Sequence, residues 1–122
     1  KKFMKTINES KKKLMKKLES LNKQGKKIHC YGASTKGNVL LQYYGINNKI
    51  IKYVAERNSS KYNLYTPGTK IKIISEKLSR SLKPDFYLVL PWHFKREILM
   101  RESSIRKKGV KFIFPLPKLK II

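Results

Sequence analysis

Apolar positions at helical spacing open the chain. Phe3, Ile7, Leu14, Leu18 and Leu21 recur three, four or seven apart, which predicts a helix over residues 2–23 with one buried stripe. Gly25 sits just beyond it, where a C-terminal cap belongs. The pattern then changes. Residues 27–31, Lys-Ile-His-Cys-Tyr, form a short apolar run closed by Gly32, suited to a strand covered on both faces. A small-residue loop, 32–37, leads into a helix over 38–44 that packs Val39, Leu40, Leu41 and Tyr43 and ends at Gly45. Residues 50–55 give a second strand, completing a strand–helix–strand unit.

The polar stretch 57–70 contains the turn pair Pro67-Gly68. Ile71, Ile73 and Ile74 predict a third strand, and Ser75 caps a brief helix through Ser79. Phe86–Leu90 is a fourth apolar strand, stopped by Pro91. A helix is predicted over 94–107, with Phe94, Ile98 and Ile105 on one stripe and Glu97 paired to Arg101 one turn on. Gly109 ends it, and Lys111–Phe114 is a last strand. Strands alternating with helices at this spacing predict an α/β fold: a Rossmann-like, three-layer single domain over 1–122 with a mostly parallel sheet.

Composition narrows the class. At 122 residues, 40% hydrophobic, the chain suffices for one core without staples. One cysteine, Cys30, excludes an internal disulfide and fits a reducing, cytoplasmic compartment. No apolar run approaches a membrane span, and residues 1–7 lack a signal-peptide core. Position 1 is not Met, so a fragment of a longer protein is expected. The net charge of +23 suggests a nucleic-acid partner. It also follows from A/T-rich codons, since lysines are spread over nearly every segment. Lys11, Lys12, Lys13, Lys16 and Lys17 then make a solvated helix face. Arginine, the residue of bidentate phosphate and base contacts, occurs at only five positions, so nucleic acid is not the expected partner.

In an open parallel sheet, ligands bind beyond the carboxyl ends of the strands. Three segments end there. Gly32-Ala33-Ser34-Thr35-Lys36-Gly37-Asn38 offers close backbone approach, a helix start, two hydroxyls and a cation, which together suit a phosphate. It is neither a Walker A loop nor G-x-G-x-x-G; without a ligand it is a tight strand-to-helix turn. Glu56 falls where a dinucleotide fold places the acid for a ribose hydroxyl, or pairs with Arg57 or Lys61. Trp92 could stack on a base or sugar and His93 could relay a proton, or the two pack at the sheet edge. His29 and Cys30 read as core. No metal set or nucleophile–base pair can be assembled.

Several of these segments resemble the C-terminal domain of S-adenosylmethionine-dependent sugar C-methyltransferases. They are Tyr31-Gly32-Ala33-Ser34-Thr35-Lys36-Gly37-Asn38 with Leu40-Leu41; Glu56-Arg57-Asn58 with Lys61; Tyr65-Thr66-Pro67-Gly68-Thr69; Pro84-Asp85 through Leu90-Pro91-Trp92-His93-Phe94; and Phe112-Ile113-Phe114-Pro115-Leu116-Pro117. They occur in order over residues 14–117. The resemblance implies a Rossmann-like domain that helps to hold a nucleotide-diphosphate deoxysugar and is not catalytic alone. It implies that a zinc-binding domain and a central domain, which holds S-adenosylmethionine and the general base, lie elsewhere in a longer chain. This sequence has neither a cysteine cluster for zinc nor a glycine-rich loop for that cofactor, so no cofactor is expected here. Expected substrate-side residues are Gly32, Ser34, Thr35, Lys36, Gly37, Asn38, Glu56, Asn58, Lys61, Thr66, Pro67, Gly68, Trp92 and His93. Two rivals remain: a dinucleotide or coenzyme-binding module using the same loop, and a basic nucleic-acid-binding protein.

Overall fold

Six strands form one sheet in the order β3-β2-β1-β4-β5-β6. The computed structural model describes residues 2–122, with side chains from residue 7 onward. Helix α1 (Lys2–Lys23) leads into β1 (Ile28–Tyr31), α2 (Thr35–Tyr44) and β2 (Tyr53–Glu56). After a short 3-10 turn, Ser59–Lys61, come β3 (Lys72–Ser75), α3 (Glu76–Ser81) and β4 (Phe86–Val89). A second 3-10 turn, Trp92–Phe94, precedes α4 (Lys95–Arg101), α5 (Ser103–Lys107), β5 (Lys111–Phe114) and β6 (Lys120–Ile121). The first five strands pair in parallel and β6 pairs antiparallel to β5. The chain winds outward from β1 to β3, then returns to lay β4 beside β1. That reversal opens a crevice at the carboxyl ends of β1 and β4.

Alternation along the strands fills both faces. Ile28 and Cys30 point to the side covered by α1 and α2, where Leu14, Leu18, Leu21, Leu40 and Leu41 pack on Val54, Leu88 and Ile113. Tyr31 points to the other side, with Tyr87, Val89, Phe112, Phe114 and Ile98. Leu14 and Leu18 are completely buried, each contributing roughly 1.5–3 kcal/mol relative to exposure. Phe3, assigned by sequence to the same stripe, lies outside the residues whose side chains are described.

Several expectations are corrected, among them Val39, Tyr43 and Phe94, which were expected to pack and are exposed. Helix α2 begins at Thr35, not Asn38, because Ser34 caps it: its Oγ accepts from the Gly37 amide at 3.0 Å. The single helix expected over 94–107 is two helices. Glu102 breaks it at φ −100°, ψ 22°, and its carboxylate turns inward to accept the Tyr31 hydroxyl at 2.6 Å. Arg101 pairs not with Glu97 but with Glu76 at 2.7 Å and Glu102 at 3.0 Å. Strand β6 was not expected. Ile122 and Phe112 exchange backbone hydrogen bonds of 2.8 and 2.9 Å there, closing the outer side of β5. On the opposite side, residues 63–66 run antiparallel along β3 through Asn63, Leu64 and Thr66.

Candidate ligand site

Two cavities meet at the crevice. The larger, about 510 Å³, is lined at the end of β1 by Tyr31, Gly32, Ala33 and Ser34. Glu56, Arg57 and Lys61 supply its second wall, and Glu76, Pro91, Phe94, Glu97 and Arg101 the third. The smaller, about 410 Å³, lies over α2 and is lined by Thr35, Asn38, Leu64, Tyr65, Thr66 and Pro67. Ala33, Ser34 and Lys61 line both, so the Lys61 side chain stands at the partition.

The partition is braced from both sides. Glu56 accepts the Ala33 amide at 2.7 Å and the Asn58 amide at 2.8 Å. Lys61 Nζ donates to the Ala33 carbonyl oxygen at 2.7 Å. Lys61 is positioned by the 3-10 turn that Asn58 caps, with Asn58 Oδ1 accepting from the Ser60 amide and hydroxyl. Both polar groups of one residue in the β1–α2 loop are thus held by the last residue of β2 and the turn that follows it.

Two glycines bring the walls together. Gly32 has φ +82°, and a Cβ there would lie 2.9 Å from Pro91 Cδ. A Cβ on Gly37 would fall 2.2 Å from Leu90 Cβ. Gly37 therefore serves helix-against-strand packing, one of the roles glycine has in such turns. Its amide is committed to Ser34 Oγ and that of Asn38 to the Ser34 carbonyl.

Of the residues singled out from sequence, Gly32, Ser34, Glu56 and Lys61 meet at the larger cavity, and Ser34, Thr35, Asn38, Lys61, Thr66 and Pro67 at the smaller. Lys36 is exposed on the first turn of α2 and lines neither. Thr66 is buried; its hydroxyl pairs with that of Thr69 at 2.5 Å and accepts the Ile71 amide at 2.9 Å. Gly68 turns the chain at φ +74° beside Gln42, whose Nε2 donates to the Pro67 carbonyl. Trp92 packs on the core, and His93 lies edge-on to it at 5.9 Å, outside both cavities. His29 and Cys30 are buried in β1, where burial pushes the Cys30 thiol far up. Among the described residues no three His, Cys, Asp or Glu side chains could together hold a metal ion.

The polar and aromatic wall formed by Glu76, Phe94, Glu97 and Arg101 was not among the site residues expected from sequence. Arg101 lies over the Tyr31 ring, 5.3 Å from its centroid, and also bonds the Tyr31 hydroxyl. Burial, then the bond to Glu102, drives the Tyr31 phenol far above its ordinary pKa, so Tyr31 remains neutral. Three of the chain's seven acids line this cavity against Arg57, Lys61 and Arg101. The site is therefore close to neutral on a molecule of net charge +23, and the chain-wide positive charge is not focused there.

Strand order, glycine turn and a crevice at the reversal define a Rossmann-like domain. A family model described as the C-methyltransferase C-terminal domain matches residues 1–117, and the chain belongs to that family. The curated protein C-methyltransferase NovU of Streptomyces niveus is similar: 34% identical over 98 residues, covering 80% of this chain and 23% of NovU. The chain thus spans less than a quarter of that relative's length. Among the described residues no helix is long and apolar enough to cross a membrane.

Proposed function

We propose that this domain holds the nucleotide-diphosphate deoxysugar of a sugar C-methyltransferase across its two joined cavities, and that the chemistry is completed by other parts of a longer cytoplasmic protein. The observation that carries the reading is Lys61. Its ammonium stands where the cavities meet, and of the three residues that line both it alone carries a charge. A diphosphate bridging the cavities meets that cation, with Arg57 beside it. The sugar takes the larger cavity, where the carboxylates of Glu76 and Glu97 accept hydroxyls. The base takes the smaller, where Tyr65 and Leu64 are more than half exposed and offer a flat apolar wall. Lys36 contributes long-range attraction from the first turn of α2, and Trp92 and His93 brace the Pro91 wall.

S-adenosylmethionine would supply the methyl group from elsewhere in such a chain. Two features support leaving it, and a dinucleotide, out of this loop. The Ala33 amide already carries the Glu56 carboxylate, and the helix start at Gly37 is packed on Leu90 rather than open to a phosphate.

Calorimetric titration with dTDP at physiological salt tests the reading, with NAD and a short DNA duplex in parallel. Saturable one-to-one binding of dTDP that Lys61→Ala abolishes is the expected result. Binding of NAD in its place, or of duplex DNA with a steep salt dependence, would replace it with one of the rival readings.

A further inference from the structure

A third cavity, about 390 Å³, opens at the opposite, amino edge of the sheet. Lys26 and Lys27 reach it from the turn before β1, and Lys49 and Lys52 from the segment before β2. Its wall contains no carboxylate. The neighbouring Asp85 is not in that wall and accepts the Lys27 amide at 2.8 Å. Lys27 Nζ is steered by the Leu82 carbonyl at 3.3 Å. Four lysines that share one concavity with no carboxylate in its wall repel one another, and a bound anion offsets that repulsion. This separates them from Lys12 and Lys16 of α1, which are exposed.

A second observation lies in the cavity wall. His29 is only 5% exposed, yet it lines this cavity. Its Nδ1 is 2.7 Å from Ser79 Oγ, which is 2.7 Å from the Tyr87 hydroxyl. Its Nε2 has no hydrogen-bond partner among the described residues. The chain of hydroxyls allows Tyr87 to donate to Ser79 and Ser79 to Nδ1, and in that arrangement the ring proton resides on Nε2 and faces the cavity. Burial, then the Lys27 ammonium, lower the imidazole to about 4, so at neutral pH it is uncharged. Tyr53 lies edge-on to it at 5.4 Å and also lines the cavity.

We propose that this amino-edge cavity is a second binding site, for a compact, multiply charged phosphate of the pyrophosphate type, held by Lys26, Lys27, Lys49 and Lys52 with a hydrogen bond from His29 Nε2. It is separated by the length of the sheet from the crevice at the carboxyl ends, and its occupancy is independent of the ligand there.

The test is titration of the 122-residue chain with inorganic pyrophosphate at physiological salt, followed by calorimetry and by the imidazole nitrogen resonances. Saturable binding is expected, with the His29 resonances moving and its pKa rising, because a bound anion offsets Lys27 and favours the protonated ring. Lys26, Lys27, Lys49, Lys52, Tyr53 and Tyr87 are the titratable groups facing that ring or its cavity. The exposed pair Lys49→Gln/Lys52→Gln should weaken binding about tenfold or more. Lys12→Gln/Lys16→Gln on α1 and Lys61→Ala in the crevice should leave the His29 response intact. Equal losses from the α1 and cavity pairs, or binding that leaves His29 unmoved, would overturn the proposal. So would a DNA duplex that competes through the same lysines and binds more tightly than pyrophosphate, which would make the patch a nucleic-acid surface.

Discussion

Glu56 and Ala33 are joined by a 2.7 Å hydrogen bond from the Ala33 amide to a carboxylate oxygen. The same carboxylate holds the Asn58 amide, so one side chain ties the β1–α2 loop to the segment after β2. Charge-assisted bonds of this kind contribute about 1.5–3 kcal/mol each when their partners would otherwise stay unpaired. Glu56→Ala is expected to destabilise the domain by about 2 kcal/mol, and Glu56→Gln, which keeps one acceptor oxygen, by about half that. Urea unfolding midpoints check both.

Gly37 and Gly25 should respond to alanine for different reasons. At Gly37 the added carbon falls 2.2 Å from Leu90 Cβ, so the helix must shift, at a cost of about 2–3 kcal/mol. At Gly25 nothing lies within 4 Å but φ is +76°, and the left-handed backbone alone costs about 1 kcal/mol. The two variants compared by chemical denaturation should keep that order. A larger loss at Gly25 would contradict the packing described for α2.

Tyr31→Phe should cost about 1–2 kcal/mol, because buried Glu102 then keeps only Arg101 as a partner. Glu102→Ala should cost more, about 2–3 kcal/mol, since it leaves the buried Tyr31 hydroxyl without its acceptor and Arg101 with Glu76 as its one remaining carboxylate. Thermal unfolding of both, together with the double variant, should give clearly less than the sum of the two losses.

His29 makes stability depend on pH below neutrality. Its folded pKa of about 4 lies below the ordinary 6.5, so between those values the unfolded chain binds more protons. The contribution is therefore fully present above pH 6.5, falls as pH drops through this window, and levels off below about 4. The loss should reach about 2 kcal/mol once solvent screening is allowed for. Urea midpoints across the window should slope for the parent and flatten in His29→Gln.

The strands and helices were legible because each rule involved is local. Short apolar runs such as Phe86–Leu90 can pack only in a doubly covered sheet, and Gly32 and Gly45 end their elements through left-handed backbone. What escaped depended on partners distant in sequence. Ser34-Thr35-Lys36 reads as a polar loop until Ser34 is seen capping α2. Glu102 reads as the wet side of a helix, and only Tyr31, brought in from β1, explains why it is buried and why the helix breaks. Arg101 has Glu97 one turn away, yet Glu76 at the start of α3 and Glu102 hold it instead. In the crevice, the loop after β1 with Glu56 and Lys61 could be located from strand ends alone. The wall formed by Glu76, Glu97 and Arg101 could not, because it needs the tertiary placement of α3 and α4.

Both margins of the sheet are already occupied by the chain itself. Residues 63–66 run along β3, and β6 with Ile122 runs along β5. A bare strand margin is a template on which a second molecule can add its own backbone. Here the outer sides of β3 and β5 are spent internally, and what lies outermost is a two-residue strand and the short run 63–66. Trimming the last few residues should therefore do more than remove two short hydrogen-bonded positions. It would uncover β5, with the apolar run Phe112-Ile113-Phe114 in its strand, and turn a self-limited sheet into one able to grow.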